Sequence, residues 1–140
     1  MKSRRDALVA EAYQWVEKAE HDLTAAAATL KLGRSAPTDA VCFHAQQCVE
    51  KYFKAALVAN GVDFPKTHDL SRIARLLPGL LMSLLTETDR KRLTDYATFM
   101  RYPGDYEPIT LQDARHAVAL ARRVRAAIRR VLPKRARTSE

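Results

Sequence analysis

The chain carries 140 residues, with 24 Lys and Arg against 16 Asp and Glu for a net charge of +8. A chain of that length forms one domain and can bury its own core without disulfide or metal staples. No segment is apolar for long enough to span a bilayer. The basic start "MKSRRDALVAEAYQW" has neither an h-region nor a cleavage site, so the expectation is a cytoplasmic protein without membrane association.

In chain order, Leu8, Ala12, Trp15, Ala19, Leu23, Ala26 and Leu30 recur at steps of three and four. That spacing predicts a helix from Arg5 to Leu32, stopped at Gly33. Ser35 and Pro37 then offer a cap and a first-turn proline to a second helix that runs to about Asn60. A third helix opens from "PKTHDL", capped by Thr67 or Asp69, and is interrupted at Pro78-Gly79. The following "GLLMSLL" is apolar enough to predict a short buried turn. Thr86 with Asp89, and Thr110 with Asp113, have the capping-box spacing and start two more helices. The first of these carries Leu93, Tyr96, Ala97 and Met100 on one side. The second turns Ala114, Val118, Ala121, Val124 and Ile128 inward until Pro133 stops it. No run alternates with period two, so the predicted fold is all-α, an antiparallel up-and-down bundle of four to five helices. It occupies residues 1–132, and 133–140 reads as a basic, disordered tail.

The positive charge is local. Arg122, Arg123, Arg125, Arg129, Arg130, Lys134, Arg135 and Arg137 fall within sixteen residues that contain no acid. This stretch is either a solvated helix face running into a frayed end or a nucleic-acid contact. Cys42 and Cys48, the only cysteines, lie about 9 Å apart along one helix, too far to bridge, and read as reduced core residues.

Plotted at helical spacing, the second helix puts Val41, Cys42, Ala45, Cys48, Val49, Tyr52, Phe53, Ala56 and Ala59 on one broad face. His44, Gln47, Glu50, Lys51 and Lys54 fall on the other, where Glu50 and Lys51 read as an exposed pair. Phe43 lies among these polar residues. It either forms a homodimer contact or tucks under the loop ahead of it. His21 and His116 read as solvated. No His-x₃-His, Cys-x₂-Cys or His–carboxylate spacing suits a metal, and no glycine-rich phosphate loop occurs, so neither metal nor cofactor is expected.

The runs "CFHAQQCVEKYFKAALVANGVDFPKTHDL" and "YATFMRYPGDYEP", preceded by "WVEKAEHDLTAA", resemble the HEPN (higher eukaryotes and prokaryotes nucleotide-binding) domain family over roughly residues 10 to 130. The resemblance implies a helical bundle that is usually a homodimer. It also implies a partner, a minimal nucleotidyltransferase with which such domains form toxin–antitoxin pairs. Catalytic members are metal-independent ribonucleases with an Arg, four to six residues, then a His. Arg101 occupies the arginine position, whereas Tyr106, Glu107 and Pro108 fall at the histidine positions. A guanidinium grips phosphate bidentately, but a phenol of pKa about 10 is a poor base near neutral pH where imidazole, near 6.5, is a good one. The motif is therefore degenerate, and binding of nucleotide or RNA survives this reading better than cleavage. Lys51, Lys66 and His68 join Arg101 as candidate contacts, with His68 serving either the substrate or the entrance to the third helix. Pro103 and Gly104 can turn Tyr106 back toward Arg101, and Asp105 can orient the guanidinium. In related pairs the nucleotidyltransferase modifies a tyrosine just past the motif histidine, which makes Tyr106 a candidate acceptor. The alternative is a toxin endoribonuclease that uses Arg101 with Tyr106 or His68.

Overall fold

The computed structural model describes residues 3–98 and 107–138. Among these the chain is all-helical: α1 (Arg4–Leu30), α2 (Thr38–Ala59), α3 (Leu70–Ala74), α4 (Glu87–Thr98), α5 (Leu111–Val131) and α6 (Lys134–Arg137), with 3₁₀ turns at Gly33–Ser35 and Gly79–Ser83. Side-chain pairings give the directions. Asp22 of α1 meets Lys51, and a Cβ at Gly61 would touch Leu8, so α1 and α2 run antiparallel. Asp89 of α4 meets His116 of α5 while Asp95 and Asp113 line one cleft, so these two are antiparallel as well. The four long helices thus form an up-and-down bundle, with α3 docked on α4 and α6 on α1.

Local chemistry explains the boundaries. Ser3 and Thr110 cap α1 and α5 in reciprocal boxes with Asp6 and Asp113, satisfying amides that the first turn leaves free. Asp69, one of the two cap candidates, accepts from the amides of Ser71 and Arg72. At the end of α2, Gly61 takes a φ of 69° while Val62 N–H donates to the Leu57 carbonyl, a Schellman closure that favours glycine. Pro37 itself caps α2, one residue ahead of the helix rather than inside its first turn.

Helix α2 is the core of the molecule. Most residues from Val41 to Val58 are buried, because α1, α4 and α5 surround the helix. Cys42 and Cys48 are fully buried, and burial pushes the Cys42 thiol up to about 12, as expected of inert core thiols. Two expectations are corrected. The "GLLMSLL" segment is not a fully buried turn: Leu80 is 88% exposed and Met82 46%, while Leu85 is buried and Leu81 and Leu84 pack partly against the core. The tail is not disordered over residues 133–138. There α6 buries Ala136, Arg135 pairs with Asp6 at 2.9 Å, and the Arg137 carbonyl accepts from Arg129. No helix of the described residues is long and apolar enough to cross a membrane.

Candidate functional site

On α2, Gln46, Glu50 and Lys54 stand at successive steps of four, so they form one line, and they are the buried polar residues of that helix. The loop between α2 and α3 folds over that line. Glu50 is buried and accepts from Gln46 Nε2 at 3.1 Å, Lys54 Nζ at 2.9 Å and His68 Nδ1 at 2.8 Å. Burial works against its charge, but the three donors outweigh burial and hold the carboxyl below its ordinary value. An ionised carboxylate offers only acceptors, so His68 Nδ1 carries the hydrogen of that contact, on a half-exposed ring. Lys54 in turn lies over the rings of Trp15 and Phe64, which meet edge to face at 6.0 Å. The expected exposed Glu50–Lys51 pair is thus corrected. A wheel plot cannot see a loop that covers one side of a helix.

The same loop is pinned to α4. The Leu70 amide donates to Thr94 Oγ1 at 3.1 Å, one helical turn before α4 ends at Thr98. His68 and the exposed Lys66 therefore belong to the loop that abuts the final turns of α4. Arg101 and Tyr106, the other expected members of the site, lie outside the described residues. On the opposite flank of α4, Lys91, Asp95 and Tyr96 line a cleft of about 460 Å³ with Glu107, Pro108 and Asp113. Desolvation raises the Asp95 carboxyl above its ordinary value. Tyr96, buried against Cys42, closes the floor.

Lys51 is not brought to this site. It points toward α1, where Asp22 accepts from Lys51 Nζ at 2.6 Å and pairs with His44 Nδ1 at 2.9 Å. A third network joins Glu20, Tyr52 and Arg125. Glu20 accepts from the Tyr52 hydroxyl at 2.6 Å and from Arg125 Nε at 2.8 Å, with Arg129 nearby at 4.0 Å. These last two networks stitch the bundle together. His21 is exposed, whereas His116 meets Asp89 at 3.1 Å instead of standing free. No group of three or more His, Cys, Asp or Glu residues among the described ones could hold a metal ion. Sequence reasoning missed Gln46 and the burial of Glu50. The signal available was their shared spacing of four, which continues to Lys54.

The comparisons agree with this architecture. The crystal structure of TT1696 from Thermus thermophilus matches with a TM-score of 0.68 and 27% identity, over 85% of this chain and 96% of that one. The crystal structure of ST0689, an archaeal HEPN homologue, matches with a TM-score of 0.68 and 26% identity, over 87% of this chain and 98% of that one. No curated protein is significantly similar to the chain. The family model of the HEPN domain matches residues 12–131, and the chain belongs to that family.

Proposed function

We propose that this protein is a nucleotide- or RNA-binding HEPN module, homodimeric and partnered by a small nucleotidyltransferase in a toxin–antitoxin-like pair. Arg101 supplies the phosphate grip, and Tyr106 stands where the ribonuclease motif requires histidine. The observation that supports this reading most is the anchoring of the "PKTHDL" loop on α4. Leu70 and Thr94 hold Lys66 and His68 at the helix that leads into Arg101. A cation and an imidazole beside that helix suit a phosphate ester. Tyr106 is the proposed acceptor of the partner enzyme: its phenol oxygen attacks the α-phosphate of a nucleoside triphosphate, the phenol proton is lost, and pyrophosphate leaves. The test compares nucleotide and RNA binding by wild type, Arg101→Ala and Tyr106→Phe. Loss with Arg101→Ala alone is expected, and unchanged binding in that variant removes the site.

A second reading, a metal-independent endoribonuclease, draws on one feature. His68 is oriented through Nδ1 by a buried carboxylate and its ring is half-exposed, which suits a general base. In that reading Arg101 stabilises the phosphate and His68 takes the 2′-hydroxyl proton. His68→Ala then abolishes cleavage, while on the first reading there is none to abolish.

Dimerisation through Phe43 is supported by its position: it is half-buried and lies edge-on to His44. Light scattering at micromolar concentration should give twice 15.8 kDa. Phe43→Asp should shift that mass toward one chain.

A further inference from the structure

Eight basic residues crowd positions 122–137, yet they are not equivalent. Arg125 is held by Glu20, Arg129 by Tyr52 and the Arg137 carbonyl, and Arg135 by Asp6. The remainder of the charge is arranged differently. Arg115, Arg122 and Arg130 are exposed, make no ion pair among the described residues, and alternate with exposed Ala119 and Ala126 along one line of α5. From Arg115 to Arg130 that line is about 22 Å long. The helix carries no acid after Asp113. Cations continue the line on both flanks. Arg122 shares a cleft of about 560 Å³ with Lys31, just past the end of α1, and with Glu20, which Arg125 already pairs; exposed Arg123 shares a hollow of about 700 Å³ with Arg75, Arg90 and the single acid Glu87.

We propose that this outer face of α5 is a second, sequence-blind docking surface for the phosphate backbone of single-stranded RNA, separate from the Arg101 loop. It rests on the RNA-binding part of the function proposed above and assigns that binding a different set of residues. Arginine grips phosphate oxygens with two parallel N–H donors, and alanine between the arginines lets a backbone approach the helix closely. Steps of seven and eight residues separate the three guanidinium groups by about 10–12 Å, a few phosphates of one strand. No aromatic side chain interrupts the line, so nothing on it stacks bases and no sequence preference arises. The apolar side of α5, including Val118, Val124 and Ile128, is buried in the core. That leaves no apolar face to insert into a lipid surface. The exposed apolar side chains Leu32, Leu76, Leu80, Met82 and Val131 all lie off the line, so it lacks the anchors of a protein interface. A second copy of the same face would repel it.

The test measures binding of a uridine homopolymer to the full-length protein across a range of salt, for wild type and for the Arg115→Gln, Arg122→Gln, Arg123→Gln, Arg130→Gln combination. Its helical circular dichroism should match that of wild type, since none of the four side chains is buried. Affinity should fall by more than about tenfold at low salt, and the slope of log affinity against log salt should become shallower by about three, at roughly 0.7 per lost phosphate contact. Replacing the same arginines by lysine should restore most of that slope. Binding of a mononucleotide should persist in the glutamine variant and disappear in Arg101→Ala, so failure of either site is seen apart from the other. Unchanged RNA affinity and slope in the folded glutamine variant would overturn the proposal. So would the absence of RNA binding by wild type.

Discussion

The α2 interior and the outer face of α5 use the same residue types to opposite ends. Around α2, buried Glu50 accepts from three donors, of which Gln46 and Lys54 are buried with it while the His68 ring stays half-exposed. On α5, Arg115, Arg122, Arg123 and Arg130 are exposed and make no ion pair among the described residues. A buried charge is costly unless it is paired, and removing one partner strands the others. An exposed arginine has little to lose within the fold and is available to a polyanion. Pairing and burial, more than residue type, separate what holds this bundle together from what it can offer a ligand.

The largest effect that sharpens this contrast is expected at Glu50. Glu50→Ala should cost about 3–5 kcal/mol in urea unfolding, because Lys54 stays buried under Trp15 and Phe64 without its carboxylate. Changing both members, Glu50→Leu with Lys54→Met, should recover much of that loss, since an apolar pair replaces a charged one without stranding either. The pH dependence has a definite sign. The folded Glu50 carboxyl lies below its ordinary 4.5, so its contribution is present above that pH and is lost as pH falls through the lower folded value. A stability profile that is flat through acid pH, or that rises on acidification, contradicts the assignment.

Smaller effects follow at the stitches between helices. Tyr52→Phe removes the hydroxyl that donates to Glu20 and should cost about 2 kcal/mol, as hydrogen bonds to charged groups do. Thr110→Ala removes the α5 cap and should cost about 1 kcal/mol. The smallest stability change belongs to the α5 arginines, whose replacement by glutamine should stay within about 0.5 kcal/mol. A loss near that of Glu50→Ala at those positions would erase the distinction between the two regions.

Much of the fold was legible in the sequence, and the failures share a cause. Helices α1, α2, α4 and α5 show in the apolar spacing, and Thr110 with Asp113 marks a start that the structure keeps. Periodicity reports one helix against an average core. It does not report a neighbour arriving from elsewhere in the chain. Glu50 looked exposed because the 60–69 loop that covers it lies beyond the wheel. Leu80 looked buried because its neighbours are apolar, although the 3₁₀ turn faces outward. Arg135 looked like a frayed tail because its partner, Asp6, sits at the other end of the sequence. Of the candidate site, the "PKTHDL" loop was recognisable as a motif, but its attachment to Thr94 and Glu50 required the tertiary structure. Lys51 was grouped with it by charge alone and faces Asp22 instead.

The claim most exposed to test is that the Arg101 segment binds phosphate without an effective general base. The direct measurement is the fate of end-labelled RNA incubated with the purified wild-type protein in excess chelator, alongside Tyr106→His and His68→Ala. The account predicts intact RNA with wild type and a gain of cleavage, if any, only with Tyr106→His. Robust chelator-resistant cleavage by wild type, lost in His68→Ala, would contradict it.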